Sequence, residues 1–349
     1  MPANNDKPVL IDTLAAPIVL APLAGGPSTP ELAAAVSEAG GFGFLAAGYL
    51  SAGVLDERIS RTRELTSRAF GVNLFVPGPA AAPDVFAGYV AGLEAEGLAV
   101  GAARFDDDDW EAKLALLERS PVAVVSFTFG LPGEDVIARV RATGAEAWVT
   151  VTSPDEAARA AHVDALVVQG GEAGGHRGSW VDTPDLTPIG LHALLQLIGE
   201  DRRREARPGE ASPAETGWPP LIASGGIGTA AAVRAALALG ASAAQVGTAF
   251  LRAPEAGTSQ AHRDALATHT PTALTRAFSG RLARGIRNRF MDEHPDAPLA
   301  YPEIHYVTAP VRAAARKAGD ADLINLWAGE AHALAQELPA AEIVARLSA

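Results

Sequence analysis

The chain has 349 residues, of which 48% are hydrophobic and none is cysteine. Its 28 Lys and Arg against 41 Asp and Glu leave a formal net charge of −13, which argues against nucleic acid, whose phosphates call for a basic face. The apolar fraction is too large for a disordered chain. The lack of cysteine excludes disulfides, thiolate catalysis, Fe–S clusters and cysteine zinc sites.

Met1-Pro-Ala-Asn-Asn-Asp-Lys7 lacks the basic and apolar regions of a secretory leader. No unbroken apolar run reaches the roughly 18 residues of a membrane span. The expectation is a soluble, cytoplasmic protein with no membrane partner.

Strand-like and helix-like runs alternate along the chain. Ile18-Val-Leu-Ala21 is a first apolar strand. A helix from Pro30 to Ala39 follows, with Thr29 as its cap and Gly40-Gly41 as its stop. Strand 42–47, helix 51–65, strand 70–76 and helix 84–96 come next, then a helix over 108–118 and strand 122–127. The order continues with helix 134–143, strand 147–151, a helix over 153–161 capped by Ser153, strand 165–169 and a helix near 188–198. Strand 221–223, helix 229–239 and strand 243–247 complete the set. The strands are apolar throughout rather than alternating, as strands buried on both faces must be. Eight β/α pairs in this order predict a closed (β/α)8 TIM barrel over residues 10–268. The charged stretch 199–218 reads as a solvated insertion. Residues 269–349, an Arg-rich stretch, a loop and helices, read as a C-terminal helical extension capping the barrel mouth.

In such a barrel the active site lies at the C-terminal ends of the strands. Those ends carry amides, hydroxyls and glycines, with neither a nucleophile elbow nor metal-spaced carboxylates, so no metal is expected. Ala165-Leu-Val-Val168 runs into Gln169-Gly-Gly-Glu-Ala-Gly-Gly-His-Arg-Gly178. Its glycines let backbone approach a flat ligand, and His176 is presented to it as a candidate general base. Ser224-Gly-Gly-Ile-Gly228 and Gln245-Val-Gly-Thr248 end the next two strands, where barrels bind phosphate on backbone N–H groups. Asn73 and Gln169 place amides at buried strand ends, suited either to neighbouring backbone or to the heteroatom edge of a ring. Together these features suit FMN, with its one phosphate and flat isoalloxazine. His162, His192, His262, His269 and His332 fall on helices or helix ends, where surface roles are expected. The Arg281-Leu-Ala-Arg-Gly-Ile-Arg287 stretch reads as helix-end and surface pairing.

Ala21-Pro-Leu-Ala-Gly-Gly26, Gly71-Val-Asn-Leu-Phe75, Gly171-Glu-Ala-Gly-Gly-His-Arg-Gly178, Ala223-Ser-Gly-Gly-Ile227 and Gln245-Val-Gly-Thr-Ala-Phe250 resemble the nitronate monooxygenases, once called 2-nitropropane dioxygenases. The resemblance spans roughly residues 10–330. It implies an FMN-dependent oxidation of alkyl nitronates by O2 to a carbonyl compound and nitrite, passing through a flavin semiquinone. His176 corresponds to the catalytic base. Leu23, Ala24 and Gly25 correspond to the turn beside the flavin, with leucine where methionine is frequent. Asn73, Gln169, Gly174, Gly175, Gly226, Gln245, Val246, Gly247 and Thr248 correspond to FMN contacts. Tyr301, Tyr306 and Lys317 are candidates for the substrate pocket. The partners implied are a small nitronate and O2. Two other readings share these motifs: an FMN-dependent NAD(P)H reductase of enoyl-ACP or quinone type, and a non-catalytic flavin binder.

Overall fold

The computed structural model describes residues 9–205 and 218–349. Eight parallel strands alternate with helices: β1 (Ile18–Leu20), β2 (Gly43–Ala46), β3 (Phe70–Phe75), β4 (Val124–Thr128), β5 (Glu146–Val151), β6 (Ala165–Gln169), β8 (Leu221–Ser224) and β9 (Ala243–Val246). Neighbours pair in parallel in chain order, and β1 pairs with β9. The seam between β1 and β2 is closed by a bridge between Val19 and Phe42. Phe42 N donates to Ile18 O and Leu20 N to Phe42 O, both at 2.9 Å. The sheet is therefore the closed (β/α)8 barrel that the apolar strands called for.

Between the barrel strands lie α1 (Pro30–Glu38), α2 (Ala52–Leu65), α3 (Pro83–Ala95), α4 (Trp110–Arg119), α5 (Glu134–Ala142), α6 (Pro154–Arg159), α7 (Leu191–Glu205) and α8 (Ala230–Ala238). Thr29, Ser51, Ser153 and Thr229 accept from the amide three residues on at the starts of α1, α2, α6 and α8. Each satisfies a donor the helix itself leaves free. Inside the barrel, Ile11, Val19, Phe42, Phe44, Val124, Trp148, Val167 and Ile222 form a plug. Trp148 packs on Phe42 and Phe44 at ring separations of 5.6 and 5.7 Å. Its indole N–H donates to Glu146 Oε2 at 2.8 Å, so this large buried ring has its polar atom paired.

Three departures from the sequence pattern have physical causes. The helix expected from 108 starts at Trp110, because Asp108 and Asp109 hold left-handed backbone at φ 60° and 52°. Residues 199–205 of the stretch expected as a charged insertion are the end of α7, which runs through Glu205 with its arginines in the last turn, where the helix dipole favours cations. The remainder of that stretch, 206–217, lies outside the described residues. Lastly, the chain builds a second, antiparallel sheet from β7 (Gly175–His176), β10 (Thr272–Thr275) and β11 (Ala283–Ile286). β7 has two residues, too few to leave a periodic signal.

The C-terminal tail supplies α9 (Gln260–Leu266), α10 (Arg289–Glu293), α11 (Glu303–Ala318) and α12 (Ala340–Ser348). α11 faces the cavity at the strand ends through His305, Ala309 and Arg312. On α12, Ala340, Ile343, Val344 and Leu347 join the apolar layer around the barrel. Among the described residues, no helix is long and apolar enough to cross a membrane.

Candidate active site

A cavity of about 440 Å³ opens at the C-terminal ends of the barrel strands, within the usual size range for a small-molecule site. It is lined at one end by Ala21–Gly25, Ala173–Gly175, Ser224–Gly228 and Gln245–Ala249. Gly225 holds φ 116° and Gly226 φ 69°, a turn closed to side chains. A Cβ on Gly174 would lie 2.5 Å from the Ala328 carbonyl carbon, so glycine there lets the C-terminal segment close against the loop. The loop itself is held by arginines donating to backbone carbonyls. Arg177, 2% exposed, reaches Gly170 O at 2.7 Å and Ala173 O at 2.5 Å. From β11, Arg284 Nε reaches Gly171 O at 2.9 Å, and just before that strand Arg281 bonds Arg177 O and Ser179 O.

His176 enters the cavity on β7, which is tied to β11 by the pairing of His176 with Ala283. Its Nε2 lies 2.9 Å from Ser279 Oγ, and that hydroxyl donates to Arg281 O at 3.2 Å. This network assigns the N–H to Nε2 and leaves the lone pair on Nδ1. Burial, reinforced by Arg281, Arg312 and Arg177, holds the imidazole down at about 3, so it is neutral. Phe129, Tyr301 and Trp327 surround it with ring centroids 5.5–5.8 Å away.

The charge around the cavity is one-sided. Among the described residues no Asp or Glu lines it, whereas Arg312, Arg316, His176, His262 and His305 do. Arg312 is 5% exposed and donates to Thr308 Oγ1 and His305 O, at 3.1 and 2.6 Å, without a carboxylate partner among the described residues. A buried cation without a counter-ion is costly. The arrangement favours a ligand that brings negative charge.

The sequence candidates fare unevenly. Leu23, Ala24, Gly25, Asn73, Gln169, Gly174, Gly175, His176, Gly226, Gln245, Val246, Gly247 and Thr248 all line the one cavity. Asn73, 2% exposed, spends its amide nitrogen on Ser126 Oγ and Thr128 Oγ1, both at 3.0 Å. Gln169 spends both ends on the loop: Nε2 donates to His176 O at 3.1 Å, and Oε1 accepts from Gly178 N at 2.8 Å. It positions His176 from below.

Tyr301 stands beside His176 and donates to the Tyr49 hydroxyl at 3.1 Å. Tyr306 does not line the cavity; its hydroxyl bonds Asp106 at 2.8 Å and its ring lies under Arg104. Lys317 is exposed on α11, whose cavity-facing cations are Arg312 and Arg316, five and one residues earlier. His262 and His332 are buried rather than superficial, bonded to Trp327 O and to Thr270 O at 3.1 and 2.9 Å. The Arg281–Arg287 stretch is strand β11 and its flanks: Arg281 and Arg284 donate to carbonyls of the glycine loop, Arg284 also pairs with Glu330 at 3.0 Å, and Arg287 pairs with Asp292 at the surface as expected.

Sequence reading missed His305, Arg312, Ser279 and Trp327. The one local clue was α11 itself, where His305, Ala309, Arg312 and Arg316 share a face at helical spacing.

A closed parallel barrel with a histidine set in a cavity at its strand ends defines the class of (β/α)8-barrel enzymes. A family model described as nitronate monooxygenase matches residues 7–349. A nitronate monooxygenase of Paraburkholderia phytofirmans is 40% identical over 95% of this chain and 91% of its own length. A probable nitronate monooxygenase of Staphylococcus aureus is 35% identical, over 99% and 96% of the two chains. The solved structure of a nitroalkane oxidase from Streptomyces ansochromogenes superposes with a TM-score of 0.89 at 46% identity, over 97% of this chain and 96% of that one. FabK from Thermotoga maritima shares the fold, with a TM-score of 0.69 at 24% identity over 96% of this chain and 92% of that one. The chain belongs to the nitronate monooxygenase family and is an oxidoreductase.

Proposed function

We propose that the protein is a cytoplasmic, FMN-dependent enzyme that oxidises alkyl nitronates with O2 to a carbonyl compound and nitrite. The observation that carries this reading is the acid-free lining in a chain of net charge −13, with Arg312 and a neutral His176 at the same cavity. Two anions fit it: the cofactor's phosphate and the substrate's nitronate.

The residues suit the cofactor on structural grounds. Thr258 Oγ1, on the lining, is buried without a hydrogen-bond partner among the described residues. Gly25 and Gly175 hold positive φ and leave open space where a side chain would stand. Gly225–Gly228 at the start of α8, with Gln245–Thr248, would hold the phosphate on backbone N–H groups. Leu23–Gly25, Asn73 and Gly174–Gly175 would flank the ring. Bound there, FMN supplies the one-electron chemistry that couples the substrate to O2.

The protein's own task is binding and proton handling. Arg312 attracts and orients the anion. His176 rests neutral because it is buried, which leaves the Nδ1 lone pair free; that atom is the one placed to take the carbon-bound proton of a nitroalkane. The imidazolium so formed gains the new nitronate as its counter-charge. Residues 269–318 cap the mouth and keep water from the reacting atoms.

An anaerobic visible-spectrum titration of the flavin-loaded protein with ethyl nitronate, and with NADH in parallel, tests the reading. Flavin reduction by nitronate and none by NADH is expected. Bleaching by NADH alone would replace the reading with a reductase. Failure to take up FMN would end both.

A further inference from the structure

Four non-glycine residues among those described hold left-handed backbone: Tyr49 (φ 66°), Asp108 (φ 60°), Asp109 (φ 52°) and Phe129 (φ 78°). Each such residue carries a conformational cost, and it persists only where its surroundings dictate it. Here all four converge on one wall of the cavity. Tyr49 and Phe129 line it, and the two aspartates hold the backbone around Tyr49. Asp108 Oδ1 accepts from Tyr49 N at 2.7 Å, and Asp109 Oδ2 from Ala52 N at 3.1 Å. The other Asp108 oxygen lies 2.7 Å from Lys113 Nζ, on a lysine whose side chain is 1% exposed. A buried ion pair is not a cheap way to stabilise a fold. This one is tied to the backbone N of a single tyrosine.

That tyrosine is held on every side but one. Its ring stacks on His305 at 3.9 Å and 5°, and its edge meets Phe75 at 5.6 Å. Tyr301 donates to its oxygen at 3.1 Å. The Tyr49 hydroxyl hydrogen is left without an acceptor among the described residues. Burial pushes the phenol up to about 12, so the proton stays on. A committed donor with no acceptor, on a wall it shares with Arg312, is placed for an anion.

We propose that the Tyr49 hydroxyl donates to an anionic oxygen of the substrate, and that Asp108 with Lys113 are the positioning residues that aim it. The proposal rests on the nitronate reading above. Tyr49 is a binding residue here: the proton that moves is taken up by His176.

Steady-state O2 consumption by the flavin-loaded enzyme with ethyl nitronate tests it, using Tyr49→Phe, Asp108→Asn and the double variant. Tyr49→Phe should raise KM about tenfold, the loss of one charge-assisted hydrogen bond, with kcat within about twofold. Asp108→Asn should raise KM in the same sense. The double variant should match Tyr49→Phe alone, because both changes remove one contact. A second readout avoids turnover: the dissociation constant of propionate, a non-reacting anion of similar shape, from the flavin difference spectrum. It should rise in step with KM. An unchanged KM and propionate affinity in Tyr49→Phe, or additive effects in the double variant, overturn the assignment. If Asp108→Asn does not fold, Tyr49→Phe still decides it. A wild-type enzyme that consumes no O2 with nitronate sinks the parent reading, and this proposal with it.

Discussion

The glycine-lined end of the cavity and its aromatic wall are held in place by opposite means. At the glycine end, turns at the ends of β6, β8 and β9 present backbone, and side chains matter mainly by their absence. At the wall, Tyr49, Phe129 and His305, with Tyr301 packed against them, come from distant parts of the chain and are kept in place by strained backbone, stacking and a buried ion pair. The first design suits a ligand common to many proteins, bound through peptide groups that any sequence has. The second suits selection among substrates, because its contacts are individual side chains.

His176 stands between the two ends, and changing it should have the largest effect. His176→Asn should retain its flavin spectrum while turnover of a neutral nitroalkane falls by about 10²–10⁴, the usual worth of a general base. Preformed nitronate should suffer less. Equal losses on both substrates would remove the base assignment.

Gly225→Ala attacks the glycine end. A Cβ there would sit 3.0 Å from Ala173 N at φ 116°. The strain should cost about 1–3 kcal/mol, read as a lower melting temperature and as flavin lost on dialysis. On the wall side, Arg312→Met should raise KM for nitronate about tenfold with flavin content intact. Lys317→Ala, one turn on but outside the cavity, should change KM by less than about twofold.

The smallest effect concerns pH. Burial is the main cause holding His176 at about 3 and His262 at about 4. Unfolded, both take a proton below about 6.5. Their contribution to stability is therefore complete above that pH and is lost as pH falls toward the folded values. The melting temperature should drop by about 2–4 °C between pH 7 and pH 5 on this account. Replacing His262 with Gln should narrow the gap. A gap that stays the same in His262→Gln would take that histidine out of the account.

Much of the barrel and of the glycine end was written locally. Apolar runs bounded by Thr29, Ser153 and the Gly-Gly turns fixed the order of strands and helices, because period and capping act over a few residues. The glycine motifs marked their own sites for the same reason. The wall left no such trace. Tyr49 and Phe129 stand at strand ends in the sequence, yet nothing near them tells that their backbone is left-handed or that Asp108 and Lys113 lie beneath.

Tyr306 and Lys317 were plausible by residue type, but a helix has several faces. Which one meets the cavity was decided by how α11 packs, and it chose His305 and Arg312. The sequence by itself determined the barrel, its glycine turns and the presented histidine, since each depends on neighbours along the chain. The neutral state of His176, the lack of a carboxylate beside Arg312 among the described residues and the surroundings of Tyr49 were decided only by the tertiary structure. Burial and charge depend on neighbours in space, and these come from residues as many as 252 positions apart, as when Tyr301 meets Tyr49.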